Sequence, residues 1–278
     1  MLQLDDALRL IPDTDLDLTG CDVLGPHGLP PPVVVTLARR PDRWQTAERN
    51  LMSRGIDRII KATAVDGQTL APGFLAPLMV EPESVDKPLA HYLQMTRPAV
   101  GCFLSHLTIW KRFLQSGAEH ILVLEDDAVL TQDCTPARGH ALMAAMPADA
   151  DIMLLGCTIM DGLAAPTSKP GMSRVYYYNG TYGYILTRQG CCNLLPRMLP
   201  IVTHIDNQIS LELVREPAAL HVYCPEPRLI EHDFTVYSDV YVPVLDTTVA
   251  DRRLDAVFKE SRAKLLRDGV RLFAMHQP

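Results

Sequence analysis

The run Ile121-Leu122-Val123-Leu124-Glu125-Asp126-Asp127 constrains the fold more than any other stretch of this chain. Four apolar residues end in three consecutive carboxylates. A continuous apolar run of this length reads as a buried strand of a parallel sheet. In open α/β sheets, ligands bind just beyond the carboxyl ends of such strands. Three like charges at that place repel one another and need compensation. A divalent cation with oxygen ligands, shared with substrate phosphates, is the cheapest form of it. Taken alone, the run reads equally well as a solvated acidic turn.

The surrounding pattern continues the α/β theme. Val33–Leu37 reads as a strand. Pro41 and Asp42 open a helix reaching about Arg54, with Gly55 as its stop. Ile59–Thr63 reads as a second strand, so the β-α-β start implies a right-handed crossover and a parallel pair. Val65–Thr96 is broken by prolines and glycines and reads as irregular or short helical pieces. Val100, Phe103, Leu104, Leu107, Trp110, Phe113 and Leu114 mark one face of an amphipathic helix ending at Gly117. A helix around Arg138 to Met146 and a strand at Ile152–Leu155 follow the acidic strand. Gly156–Ser173 reads as a flexible loop beside the site. Val175–Tyr178 and Tyr182–Leu186 read as strands, and Arg188–Leu199 as a helix that Pro196 ends or kinks. Asp206 caps a short helix through Val214. Leu220–Tyr223 is a last strand, and Asp251–Asp268 an amphipathic terminal helix. The expected organisation is an N-terminal extension over residues 1–32, an α/β domain over 33–245 and a C-terminal helix over 246–278.

The chain has 278 residues, 47% hydrophobic and 21% charged, which suits a globular enzyme with one large core. Its net charge of −7 argues against a nucleic-acid binder, which would present a basic face. The seven cysteines show no metal-knuckle spacing and point to a reducing compartment. The acidic start has no basic segment followed by an apolar core, and no apolar stretch approaches the roughly 20 residues that span a bilayer. The expected location is cytoplasmic, with any membrane association peripheral.

Five places carry polar residues suited to chemistry. Arg39, Arg40 and Arg43 stand at the mouth of the first strand, to hold phosphates or a nucleotide, or to solvate a helix start. Asp66 follows the second strand, to accept from a base or ribose or to cap a turn. Gly101 permits close backbone approach ahead of Ser105 and His106, although a lone histidine there is more often a packing residue. Asn179-Gly180-Thr181-Tyr182-Gly183-Tyr184 suits a backbone lying against a sugar, or a glycine-relaxed turn. His204-Ile205-Asp206 and Glu231-His232-Asp233 come late in the chain.

These blocks also have a familiar order. Leu37-Ala38-Arg39-Arg40-Pro41-Asp42-Arg43, Ala64-Val65-Asp66-Gly67, Gly101-Cys102-Phe103-Leu104-Ser105-His106, Leu124-Glu125-Asp126-Asp127, Gly183-Tyr184-Ile185-Leu186 and Ser238-Asp239-Val240 resemble the family 25 glycosyltransferases. That family includes lipooligosaccharide galactosyltransferases and resembles the collagen galactosyltransferases. The resemblance runs from about Val33 to Val240. It implies a GT-A type, Rossmann-like mixed sheet flanked by helices. It also implies a UDP-sugar donor (UDP-galactose first, UDP-glucose second), a divalent metal (Mn²⁺ or Mg²⁺), and an acceptor hydroxyl on a glycan, glycolipid or protein. On this resemblance Asp127 is the leading metal ligand, with Glu125 and His232. Leu37, Arg39, Arg43, Ala64, Asp66, Ser105, His106, Glu125, Asp126 and Gly183 would bind the donor. Asp206 would be the base of an inverting displacement; its other role is to cap the helix at Asn207. Val80–Thr96 and Gly156–Ser173 would be the acceptor loops. Two other readings share the features: a nucleotidyltransferase, whose glycine-rich basic loop after the first strand is missing here, and an inactive transferase-like binding domain.

Overall fold

The computed structural model describes residues 2–75, 78, 96–159, 162–233, 235 and 240. Strand β1 (Pro32–Thr36) is buried along its whole length and lies parallel to β2 (Ile60–Thr63) on one side and β3 (His120–Glu125) on the other. Between β1 and β2 runs helix α2 (Pro41–Ser53), with Pro41 in its first turn, Asp42 near its N-terminus and Gly55 at φ 79° just past its end. These are the signals of a helix start and stop. After a short helix α3 (Pro72–Leu75), the long helix α4 (Arg97–Ser116) is capped by the Thr96 hydroxyl, which accepts from Ala99 N. It ends at Gly117, in the left-handed conformation.

The acidic strand has a mixed neighbourhood. Beyond it lies β8 (Asn179–Thr187), antiparallel to β3 and also to β5 (Ile152–Thr158). Strand β9 (Val222–Pro225) runs parallel to β5, followed by β7 (Met172–Val175) and the edge strand β6 (Ala164–Pro166). The full order is β2-β1-β3-β8-β5-β9-β7-β6. The parallel-sheet expectation for Ile121–Leu124 therefore holds on one side only. The two faces of the sheet carry separate apolar clusters. Phe103, Leu107, Trp110 and Phe113 of α4 pack on one face with Val33, Ile121, Val123 and Tyr184. Leu51, Val34, Leu122, Leu124 and Ile185 share the other. This is a Rossmann-like α/β domain with a mixed sheet flanked by helices.

Three segments depart from the sequence reading. Residues 1–32, expected as a loop-like extension, contain helix α1 (Leu4–Leu10), and Ala7, Ile11, Leu16, Leu18 and Cys21 sink into the α4 cluster. Lys111 Nζ donates to Ile11 O at 2.8 Å and Arg112 Nε to Leu16 O at 2.8 Å, fastening that segment to α4. Gly156–Ser173 is not a plain loop: Gly156–Thr158 continue β5, and β6 and β7 pair as a hairpin. The strand expected at Val175–Tyr178 ends at Val175 instead. Helix α5 (Pro136–Ala145) forms near its expected place. Helix α6 (Arg188–Leu194) passes into a 3₁₀ turn at Leu195–Arg197, because Pro196 cannot continue the helix. Helix α7 (Ile205–Arg215) carries Asp206 in its first turn. Two three-residue strands, β4 (Ala128–Leu130) and β10 (Ile230–His232), make a separate antiparallel ribbon. The expected helix Asp251–Asp268, the Ser238-Asp239 pair and all of Val80–Thr96 except Thr96 lie outside the described residues.

Candidate active site

A pocket opens at the carboxyl ends of β1, β2 and β3. Its walls include Leu37, Arg39, Arg43, Ala64, Asp66, Ser105, His106, Glu125, Asp126 and Asp127. Sequence blocks scattered along the first half of the chain thus converge on one place, as the parallel β1–β2–β3 arrangement requires. Val240 is also part of the wall, and its carbonyl accepts from Thr96 Oγ1 at 3.2 Å.

Two of the blocks were built for each other. A Cβ on Gly67 would lie 1.8 Å from Arg97 O, and one on Gly101 would lie 2.5 Å from Val65 O. The loop after β2 and the first turn of α4 therefore touch backbone to backbone. Ser105 completes the clamp: its Oγ accepts from Val65 N at 2.8 Å and donates to Gly101 O at 2.6 Å. Its hydroxyl is spent on the scaffold, so its contribution to a donor site is to hold Ala64–Gly67 in place. Asp66 caps the turn at Gln68 N, as one reading expected, and also accepts from Arg39 Nε at 2.8 Å.

The acidic triplet divides. Asp126 and Asp127 both pair with Arg43 Nη2, at 2.7 Å for Asp127 Oδ2. All three side chains are less than a tenth exposed. The compensation that the triplet demands comes first from this buried guanidinium, which the sequence reading assigned to the donor. His232 Nε2 lies 3.3 Å from the same Asp127 oxygen. The β10–β4 register puts it there, by pairing His232 with Ala128, and the Tyr182 ring packs against it at a tilt, with ring centroids 4.8 Å apart. Glu125 faces elsewhere, accepting from Thr181 Oγ1 and standing 3.7 Å from His106 Nε2.

Electrostatics follows this division. Burial, then the Glu125 charge, push the Asp127 carboxyl up to about 6, against the pull of Arg43 and His232. Burial also raises Asp126. For Glu125 burial is again the largest effect, yet the neighbouring His106 and the hydrogen bond from Thr181 outweigh it and the carboxyl is lowered. Asp206 accepts from Gly180 N at 2.6 Å; burial raises its carboxyl more than that bond lowers it.

Three expected site residues lie outside the pocket wall: Gly183, Asp206 and His232. His232 and Asp206 remain tied to the site through Asp127 and Gly180. Gly183 is accounted for by packing. It pairs with Leu124, and a Cβ there would lie 2.5 Å from Ile230 Cδ1 and 2.7 Å from Leu124 Cδ2. That space belongs to side chains of the core, not to a sugar. The expected metal set is likewise split, since Asp127 faces Arg43 and His232 whereas Glu125 faces Thr181 and His106. Among the described residues, Cys102, His106 and Glu125 have ligand-capable atoms within 4.8 Å of one another. Thr181 and Cys102 belong to blocks the sequence singled out, yet nothing local marked them as partners of Glu125.

The profile of glycosyltransferase family 25 (LPS biosynthesis protein) matches residues 30–209. The chain belongs to glycosyltransferase family 25. A Drosophila melanogaster glycosyltransferase 25 family member is 28% identical over 191 residues, 66% of this chain and 31% of that protein. The inactive glycosyltransferase 25 family member 3 of Mus musculus is 33% identical over 180 residues, 60% of this chain and 30% of that protein. Procollagen galactosyltransferase 1 of Danio rerio is 28% identical over 215 residues, 71% of this chain and 35% of that protein. The chain spans about a third of the length of these family 25 relatives. Among the described residues, no helix is long and apolar enough to cross a membrane.

Proposed function

We propose that this family 25 chain is a metal-dependent, inverting glycosyltransferase. It moves a hexose, galactose first and glucose second, from a UDP-sugar to a hydroxyl of a glycan, glycolipid or protein acceptor. The observation that carries this reading is the convergence of Arg39, Asp66, Glu125, Asp126 and Asp127 on one pocket at the strand ends. Arg39 and Asp66 suit the nucleoside end of the donor, since both are polar and partly open to solvent. Asp127, Glu125 and His232 would hold Mn²⁺ or Mg²⁺. The Asp127–His232 end of that set fits a hard cation, because Asp127 Oδ1 is buried and has no hydrogen-bond partner among the described residues. When bound, such a cation neutralises the charge that gathers on the leaving diphosphate.

Asp206 takes the proton of the acceptor hydroxyl as that oxygen attacks the anomeric carbon. A carboxyl raised by burial is a stronger base than an exposed one, which suits the task. One displacement inverts the anomeric centre and releases UDP, with no covalent intermediate. Arg43 keeps Asp126 and Asp127 from repelling each other in the meantime.

The test measures UDP release from UDP-galactose and UDP-glucose, with and without Mn²⁺. A procollagen peptide and an LPS-derived glycan serve as acceptors, after the names of the relative and the family. Mn²⁺-dependent release that Asp127→Ala abolishes is expected. Undiminished, metal-independent release by that variant would remove the metal role. Tight UDP-sugar binding without turnover on any acceptor would favour a binding domain like the relative named inactive. Pyrophosphate formed from a nucleoside triphosphate would favour a nucleotidyltransferase.

A further inference from the structure

We propose that Trp110 and Tyr184 form a buried hydrogen-bond relay that fixes His106 as its Nε2–H tautomer, making His106 a positioning residue whose N–H faces Glu125. The reasoning starts from a group with only one option. An indole nitrogen can donate but cannot accept. Trp110 Nε1 donates to Tyr184 Oη at 2.8 Å, so the phenol oxygen accepts there. That phenol has one proton of its own to place. Among the described residues its other neighbour is His106 Nδ1, at 2.7 Å. Trp110, Tyr184 and His106 are all 1% exposed or less, so no bulk water competes.

Two arrangements are available. If Tyr184 donates to Nδ1, the indole N–H, the phenol proton and Nδ1 are all paired and the ring proton sits on Nε2. If Nδ1 carries a proton instead, the ring donates to the phenol and the phenol's own proton is left unpaired in the core. Leaving that phenol proton unpaired in the core favours the first arrangement about fivefold to a hundredfold. The far side of the ring agrees with it. Among the described residues Nε2 has no acceptor within normal hydrogen-bond distance, and Glu125 Oε1 stands 3.7 Å away. An N–H aimed at an anion suits that position; a bare lone pair aimed at an anion does not.

Two consequences separate this from the neighbouring possibilities. The Cys102–His106–Glu125 cluster has ligand-like spacing, but a metal on His106 would need the lone pair that the relay denies to Nε2. Glu125 is also fixed in a particular way. Thr181 Oγ1 and His106 Nε2 both face Oε1, so Oε2 is the oxygen presented to a ligand in the pocket. That last step rests on the proposed function; the tautomer does not.

The experiment uses the full chain labelled with ¹⁵N at histidine, with His106 assigned by His106→Gln. Long-range ¹H–¹⁵N correlation is expected to show a pyridine-type Nδ1 and a pyrrole-type Nε2. In Tyr184→Phe the ring should lose this fixed pattern and show exchange between tautomers. A protonated Nδ1 in the wild-type chain, alone or in an imidazolium, would overturn the relay. So would a thiolate-to-metal charge-transfer band with Co²⁺ that disappears in Cys102→Ser. Tyr184→Phe should also weaken UDP-galactose binding about tenfold, the scale of one hydrogen bond to a charged group. Unchanged binding there would overturn the positioning role. If the wild-type chain binds no nucleotide sugar, the proposed function fails and the ring-nitrogen pattern decides the relay by itself.

Discussion

Replacing Arg43 with methionine removes the cation from a buried cluster while keeping most of the apolar stem. Its partners Asp126 and Asp127 are 9% and 6% exposed, so neither can recover its hydration in water. Breaking a buried ion pair from one side typically costs about 3–5 kcal/mol. Protonation limits that cost and makes it depend on pH. Even beside Arg43, burial and Glu125 hold the Asp127 carboxyl at about 6 against an ordinary 3.8. A carboxyl raised on folding gives stability that is fully present below its unfolded pKa and is lost as pH rises through the folded pKa. Without Arg43 both carboxyls rise further, so the deficit of the variant grows with pH. At pH 7, keeping one ordinary carboxyl neutral costs about 4 kcal/mol; at pH 5 it costs about 1.6 kcal/mol. At pH 5 Asp127 is largely protonated already, so nearly all of the new cost falls on Asp126. Arg43→Met should therefore lose about 3–5 kcal/mol at pH 7 and about 1–2 kcal/mol at pH 5. Urea unfolding at the two pH values, in the presence of a chelator, measures both. An equal loss at the two pH values, or a loss under about 1 kcal/mol at pH 7, would refute the argument.

Other perturbations probe the remaining parts. Gly67→Ala should destabilise by about 3 kcal/mol, because its Cβ would meet Arg97 O at 1.8 Å, whereas Gly73→Ala, with nothing within 4 Å among the described residues, should be near neutral in the same melts. Asp206→Asn should leave UDP-sugar affinity in place and cut turnover about 10²–10⁴-fold; a matching loss of affinity by calorimetry would move Asp206 to donor binding. Mn²⁺ affinity should climb from pH 5 to pH 7 and then level off, since a proton leaving Asp127 at about 6 competes with the cation. A flat profile would take Asp127 out of the ligand set.

The β1–α2–β2 unit, α4 and β3 were legible because their signals are local. Pro41 with Gly55, the spaced apolar face of α4 and the unbroken run Ile121–Leu124 each declare an element without help from afar. The three-residue strands β4 and β10 carry no such signal, since their pairing joins residues about a hundred positions apart. Helix α1 is too short to show a period, and its burial is decided by α4. The hairpin of β6 and β7 hides behind alanines, a proline and a Pro-Gly turn, the marks of an edge strand. In the site, the types and the strand-end position of the carboxylates were readable. What compensates them was not: Arg43 reaches Asp127 across 84 residues of sequence, and only the fold shows that α2 begins beside the end of β3. Gly101 was read as permitting a close backbone approach. The close approach is real, but the visitor is the chain's own loop.

Strand β8 begins with two neighbouring residues that each hold one carboxylate: Gly180 binds Asp206, and Thr181 binds Glu125. Adjacent Cα atoms across a trans peptide stay about 3.8 Å apart. The proposed proton acceptor and the donor-side acid therefore hang from adjacent residues of one strand, although they come from different elements, α7 and β3. Breathing of either element shifts both groups through the same short rail, so their spacing survives motions that would spoil a site assembled from independent loops. Selection acting on the start of β8 would thus tune the distance between the two halves of the reaction without touching either carboxylate.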